Sequence, residues 1–196
     1  MTQTKRRLSR VESMALTRQK LMASALETFM RVGYAGATID GISEEAGFSR
    51  GAFYAHFTSK EDVLLEALAS QSDELTPGLV AQIEAAASAN EVVAILSRWV
   101  DQRSQTQDLA FLLFEVSQRA RRDGTLDERF TRLFQENWRR IGEAMRPFFP
   151  DKRLPGAPEE IVAIIVALSY GPAVSVTGEQ NPGRLVELVL RGLMRV

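Results

Sequence analysis

The stretch "ATIDGISEEAGFSRGAFYAHFTSKEDVL", residues 37–64, decides the fold. It reads as two short helices joined by a tight turn, followed by the start of a longer one. Thr38 opens the first, which runs through Ile39, Ile42 and Ala46, with Gly41 weakening its first turn. Gly47 closes it, because glycine enters the left-handed backbone region without strain. Ser49 caps the second helix, over 50–56. Ser59 caps the third, with Asp62 at its third helical position and Val63, Leu64, Ala67 and Leu68 on one face. Two short helices across a glycine turn form a helix-turn-helix. The stretch also holds the only histidine of the chain, His56, near Tyr54 and Lys60. A lone histidine there suits an active site, a phosphate grip or plain packing.

Upstream, Leu21, Met22, Ala25, Leu26, Phe29 and Val32 draw one apolar stripe at three- and four-residue steps, and Gly33 ends that helix. Downstream, Thr76-Pro77-Gly78 breaks or kinks the helix that Ser59 starts. Helices follow over 90–104 and 108–121. Asp123-Gly124 turns the chain, and Thr125 with Glu128 opens a helix to about Arg146 as a capping box. Residues 159–177 are a very apolar helix interrupted at Gly171-Pro172, and Asn181-Pro182 starts the last helix, to about Arg195. No strand-like alternation of any length appears. The expectation is an all-α chain of about nine helices. A three-helix head occupies residues 1–57, of which 1–13 form a flexible basic tail, and a larger helical body occupies 58–196.

Composition narrows the chemistry. There is no cysteine, so thiolate nucleophiles, disulfides and cysteine-based zinc sites are excluded. A single histidine excludes a histidine-cluster metal site, and neither metal nor cofactor is expected. No run is apolar and long enough to span a bilayer, and the N-terminus lacks the apolar core of a signal peptide, so a soluble cytoplasmic protein without membrane contact is expected. The net charge of −1 hides an asymmetry. Residues 1–60 hold nine Lys/Arg against five Asp/Glu, a balance of +4, and the rest hold fifteen against twenty, a balance of −5. A basic first part suits a polyanion partner. A solvated tail explains it equally well, since Lys5, Arg6, Arg7 and Arg10 lie in the first ten residues.

The second helix of the pair points to what that polyanion is. Ile39, Ile42, Ala46, Phe48, Phe53 and Phe57 can bury against the upstream helix, leaving Ser49, Arg50, Ala52, Tyr54 and Ala55 outside. The outer face is lean at Gly51 and Ala52, as a helix entering the major groove requires. Arg50 can reach a guanine edge or a phosphate.

On these residues the chain resembles a known family. "YAGATIDGISEEAGFSRGAFYAHFTSKEDVLLEAL", residues 34–68, is similar to the DNA-binding segment of the tetracycline-repressor (TetR) family of bacterial transcriptional regulators. The resemblance covers roughly residues 16–68; the remainder matches in length and helical character. It implies that Thr38, Ser49, Arg50, Gly51, Ala52, Tyr54, His56 and Lys60 contact double-stranded DNA. Thr38, Tyr54, His56 and Lys60 would take phosphates, and Ser49 to Ala52 would face base edges or the adjoining backbone. It further implies a homodimer on a palindromic operator, released by a small-molecule effector held in the body.

Within the body, Trp99, Phe111, Phe114, Phe134, Trp138 and Tyr170 either line an apolar effector pocket or fill the core. Pro172 frees the Leu168 carbonyl, which an effector or a plain kink would accommodate. The last two helices are the dimer candidate, through Ile161, Ile165, Leu168, Leu185, Leu188 and Val189. The expected function is therefore a ligand-responsive DNA-binding regulator, a repressor and not an enzyme. The alternative is a helical small-molecule-binding protein or enzyme without DNA binding, with Glu115, Glu136, Arg139 and Arg140 as its polar groups.

Overall fold

The structure is a computed structural model that describes residues 9–104, 107–122, 124–170 and 181–195, with the side chains at 107, 110, 124, 125, 127 and 170 outside that description. The tail residues Lys5 to Arg7, the Gly171-Pro172 interruption, and the Asp123 and Thr125 features therefore lie outside the described residues or side chains. Nine α-helices are found among the described residues: α1 Arg10–Gly36, α2 Ile39–Glu45, α3 Arg50–Tyr54, α4 Lys60–Glu84, α5 Ala89–Ser104, α6 Gln107–Ala120, α7 Gly124–Met145, α8 Pro158–Tyr170 and α9 Pro182–Met194. No strand occurs among them. Two short 3₁₀ turns, Arg146–Phe148 and Pro150–Lys152, connect α7 to α8. The chain divides into two compact units, residues 1–68 and 69–196, and the division falls within α4.

In the first unit, α1 starts earlier than the expected tail allows. Ser9 Oγ accepts from the Glu12 N–H at 3.2 Å, and Glu12 Oε2 accepts from the Ser9 N–H at 2.8 Å. That capping box satisfies two orphan donors at once, so residues 10–13 are helical. Gly33 breaks the helix at φ 75°, as expected, and a last turn carries Tyr34 inward. The core joins Leu21, Ala25 and Phe29 of α1 to Ile42 of α2, Phe53 of α3, Phe57, and Val63 and Leu64 of α4, all fully buried. Ser24 Oγ donates to the Ile42 carbonyl at 2.9 Å and Thr28 Oγ1 to Glu45 at 2.7 Å, which fixes α2 on α1.

The second unit packs α5 on α9 and α7 on α8. Its core includes Ile83, Val92, Leu96, Val100, Met145, Ile165 and Leu190. Gly142 lets α7 approach α8 closely: a Cβ there would sit 2.3 Å from the Pro158 carbonyl oxygen. Asp101 of α5 accepts from the Gly183 N–H at 2.8 Å, pinning the start of α9. Of the break or kink expected at Thr76-Pro77-Gly78, the break does not occur, since α4 runs through Pro77 to Glu84. Proline removes one helical N–H there. The helix is held nearby from outside, because Asn137 of α7 donates to Ser72 Oγ at 3.1 Å and to Asp73 Oδ1 at 2.8 Å.

Candidate nucleic-acid interface

The interface begins with how the chain turns between α2 and α3. Gly47 takes φ 78°, the Gly47 N–H donates to the Glu44 carbonyl at 3.0 Å, and the Phe48 N–H to the Ser43 carbonyl at 2.8 Å. Those two bonds are a Schellman motif, which needs a left-handed residue at this point. Phe48 then turns in, and Ser49 caps α3 by accepting from the Ala52 N–H at 3.2 Å. Thr38 caps α2 in the same way, accepting from Gly41 N–H at 3.1 Å. Gly41 thus sits at a capped start, which offsets its weak helix propensity.

With Phe53 buried, the residues left outside on α3 are Ser49, Arg50, Gly51 and Tyr54, while Ala52 is half-buried. The ridge is lean, and its one cation is held. Arg50 Nη1 donates to Asp40 Oδ2 at 2.8 Å, and its guanidinium carbon lies 5.6 Å from the Tyr54 ring centre. The Tyr54 hydroxyl and then the Asp40 carboxylate hold the Arg50 pKa above its usual value. Thr38, Ser49, Arg50, Gly51 and Tyr54 are exposed. His56 is half-buried, and its carbonyl accepts from Arg18 Nη1 at 2.7 Å.

Lys60 is placed differently from a free phosphate ligand. Its ammonium donates to the carbonyls of Tyr34 at 2.7 Å and Ala37 at 2.8 Å, 4.4 Å above the Tyr34 ring. It closes the end of α1 onto the start of α4. Arg18, which sequence reading passed over, does comparable work. Its guanidinium lies 4.5 Å over the Phe57 ring and pairs with Glu66 of α4. The one sequence signal for it was a charged residue one turn before an apolar stripe, which is too common to single out. The charge asymmetry also changes meaning. Residues 9–60 carry six Lys/Arg against five Asp/Glu, a balance of +1, and Arg18, Arg31 and Arg50 all form ion pairs. Lys5, Arg6 and Arg7 therefore supply three of the four excess positive charges of residues 1–60.

The body residues singled out by sequence divide. Phe111 and Phe114 are 57% and 58% exposed, so they line no enclosed pocket. They fall on the outward side of α6, whose inward stripe is Leu109, Leu112 and Val116. Trp99 and Trp138 are half-buried against the body core. Phe134 stacks on Trp138 at 5.8 Å and meets Phe130 edge-on at 5.3 Å, forming a ladder along α7. The Tyr170 side chain lies outside the described residues. An open groove of about 660 Å³ lies elsewhere, lined by Pro77, Val80 and Ala81 of α4 and by Arg140, Pro147 and Phe148. Ser97 Oγ is buried with no hydrogen-bond partner among the described residues. Of the dimer candidates, Ile161 and Ile165 are a correction: they are buried in the core of this chain, so they present no exposed side chain to a second one. Ile164 faces outward instead, with Leu185 and Leu188, while Leu168 and Val189 are half-buried. Two groups of the enzyme alternative pair with each other: Arg139 forms a two-bond pair with Glu136 at 2.7 and 2.9 Å, which holds the Glu136 carboxyl below its usual range.

Known proteins give the arrangement its context. The family model for bacterial regulatory proteins of the tetR family matches residues 21–67. SrpR of Pseudomonas putida, an HTH-type transcriptional regulator, is 46% identical over 59 residues, 30% of this chain and 28% of its own length. This chain therefore spans little more than a quarter of that relative. Mb2936c of Mycobacterium bovis, an uncharacterized HTH-type transcriptional regulator, is 31% identical over 156 residues, 76% of this chain and 74% of its own. Among solved structures, FadR of Bacillus subtilis in complex with stearoyl-CoA superposes with a TM-score of 0.71 at 17% identity, covering 90% of this chain and 97% of that one.

Proposed function

Because the chain belongs to the TetR family of bacterial regulatory proteins and carries its DNA-binding helix-turn-helix, we propose that it is a repressor. It binds a near-palindromic operator as a homodimer and is released by a small molecule. The observation that carries this is the ridge of α3, where Ser49, Arg50 and Gly51 stand exposed on a helix aimed by the Gly47 turn. A lean helix of this kind lets backbone and short side chains approach base edges. Thr38, Tyr54 and His56 then serve phosphates, and Ser49 to Ala52 serve bases. Residues 1–57, with the first turns of α4, are the DNA-binding part, and the rest holds effector and partner.

For the second chain we favour the outward face of α8 and α9, through Ile164, Leu168, Leu185, Leu188 and Val189. Exposed aliphatics on two neighbouring helices suit a twofold four-helix contact. Two heads would then reach major grooves about 34–36 Å apart, or a multiple of that. For the effector we favour the groove beside Pro77, because one of its walls is α4. Its lining mixes Glu84, Arg139, Arg140 and Glu143 with Pro77, Val80, Ala144 and Phe148, which suits a small molecule with both an apolar and a charged part. That the related fold of FadR is solved with stearoyl-CoA supports a small-molecule effector. Release follows if the effector prefers a position of α4 that the operator-bound dimer does not adopt.

The test is selection from a pool of random DNA duplexes by the full chain, followed by band shifts on what is selected. The expected result is an inverted repeat that wild type binds and that Arg50→Ala binds about tenfold more weakly. Failure to enrich any sequence, or an Arg50→Ala variant that binds like wild type, overturns the reading.

A further inference from the structure

We propose that Asp40 is a positioning residue for sequence reading: its carboxylate holds the Arg50 guanidinium so that the Nε–Nη2 edge faces a guanine. The proposal rests on the DNA-binding reading of α3 and adds how that helix discriminates. Asp40 stands in the first turn of α2, exposed, on the side of the head where phosphates are expected. A carboxylate there repels DNA, so its effect must be sought in what it does to its partner. Arg50 and Asp40 side chains are 59% and 62% exposed. An ion pair so open to water adds little to fold stability.

Geometry supplies the effect. The guanidinium has five N–H donors in a rigid plane. Asp40 occupies Nη1 at 2.8 Å. Tyr54 flanks the same group, with its hydroxyl 3.5 Å from Nη2, too long for a strong bond but near enough to limit rotation. One Nη1–H, the Nε–H and the Nη2–H donors remain, and the Nε–H and Nη2–H that lie side by side have the spacing that matches O6 and N7 of guanine. Without Asp40 the long side chain would sample many rotamers and could settle on any phosphate. With it, the charge of Arg50 is partly neutralised toward the backbone, and the free edge keeps its directional bonds. Asp40 thus lowers affinity for wrong sequences while aiming the residue that reads the right one, which is how a specificity gap is made.

The experiment uses the full chain and a duplex enriched by wild type from the random pool. Affinity is measured for that duplex, for a scrambled duplex of equal composition, and for the enriched duplex with each guanine in turn replaced by 7-deazaguanine, which lacks the N7 acceptor. Wild type is expected to lose about tenfold at one guanine per half-site. Asp40→Asn is expected to narrow the enriched-to-scrambled ratio by about tenfold, to bind the scrambled duplex at least as tightly as wild type, and to lose its 7-deazaguanine penalty. In an Arg50→Ala background, Asp40→Asn should leave the ratio unchanged, which separates positioning of Arg50 from a general effect on α2. The proposal is overturned if Asp40→Asn keeps the wild-type ratio and penalty, or if it weakens both duplexes alike. If wild type enriches nothing, the DNA-binding reading fails first and this proposal falls with it.

Discussion

Lys60 shows how one side chain can carry two readings that only its neighbours separate. In the sequence it is a cation at the start of a helix beside a DNA-facing motif. In the fold its ammonium bridges the Tyr34 and Ala37 carbonyls and sits over the Tyr34 ring. These are carbonyls in the last turn of α1 and at its C-cap. Lys60→Met is therefore expected to destabilise the protein by about 1–3 kcal/mol, the cost of unmaking bonds from a charged donor to part-buried acceptors. Chemical denaturation measures it. The salt dependence of DNA binding should stay as in wild type, since a strut releases no counterions; a slope reduced by about one would return Lys60 to the phosphate contacts. Residues such as Gly47 and Ser49 were legible beforehand, because their roles are local: a left-handed turn and a cap depend on the next three residues only. Arg18 was not, because its partners, His56, Phe57 and Glu66, lie far along the chain.

Helix α8 makes the corresponding point for an element. Its sequence is apolar on nearly every side, so periodicity cannot say which side faces in. The fold sets the phase: Ile161, Val162 and Ile165 enter the core, and Ile164 faces out. One determinant of that phase is the close approach to α7 at Gly142. Gly142→Ala should force α7 and α8 apart, because the new methyl meets backbone that cannot rotate away. The expected loss is about 1–3 kcal/mol in unfolding free energy, read as a lower melting temperature. A variant as stable as wild type would mean that this helix pair yields without cost. In α9 the division is sharper: Val186, Leu190 and Met194 enter the core, and Leu185 and Leu188 stay outside.

At the scale of the whole molecule the open question is association. If the outward face of α8 and α9 joins two chains, Leu188→Glu places a buried charge at the contact. Sedimentation equilibrium should then find monomer where wild type is dimer, with operator affinity falling steeply because two half-sites are no longer linked. A variant that stays dimeric removes this face from consideration. What the sequence by itself determined is the helical class, the helix-turn-helix and the family, since these rest on spacings within a few turns of one chain. The tertiary structure alone decided that Ile161 and Ile165 are core, that Phe111 and Phe114 are exposed, and that the Lys60 ammonium lies on the Tyr34 and Ala37 carbonyls. It also brought Asp40 to Arg50. Burial and pairing are properties of what lies opposite a residue, and for these residues the opposite wall comes from another helix whose approach no local pattern encodes.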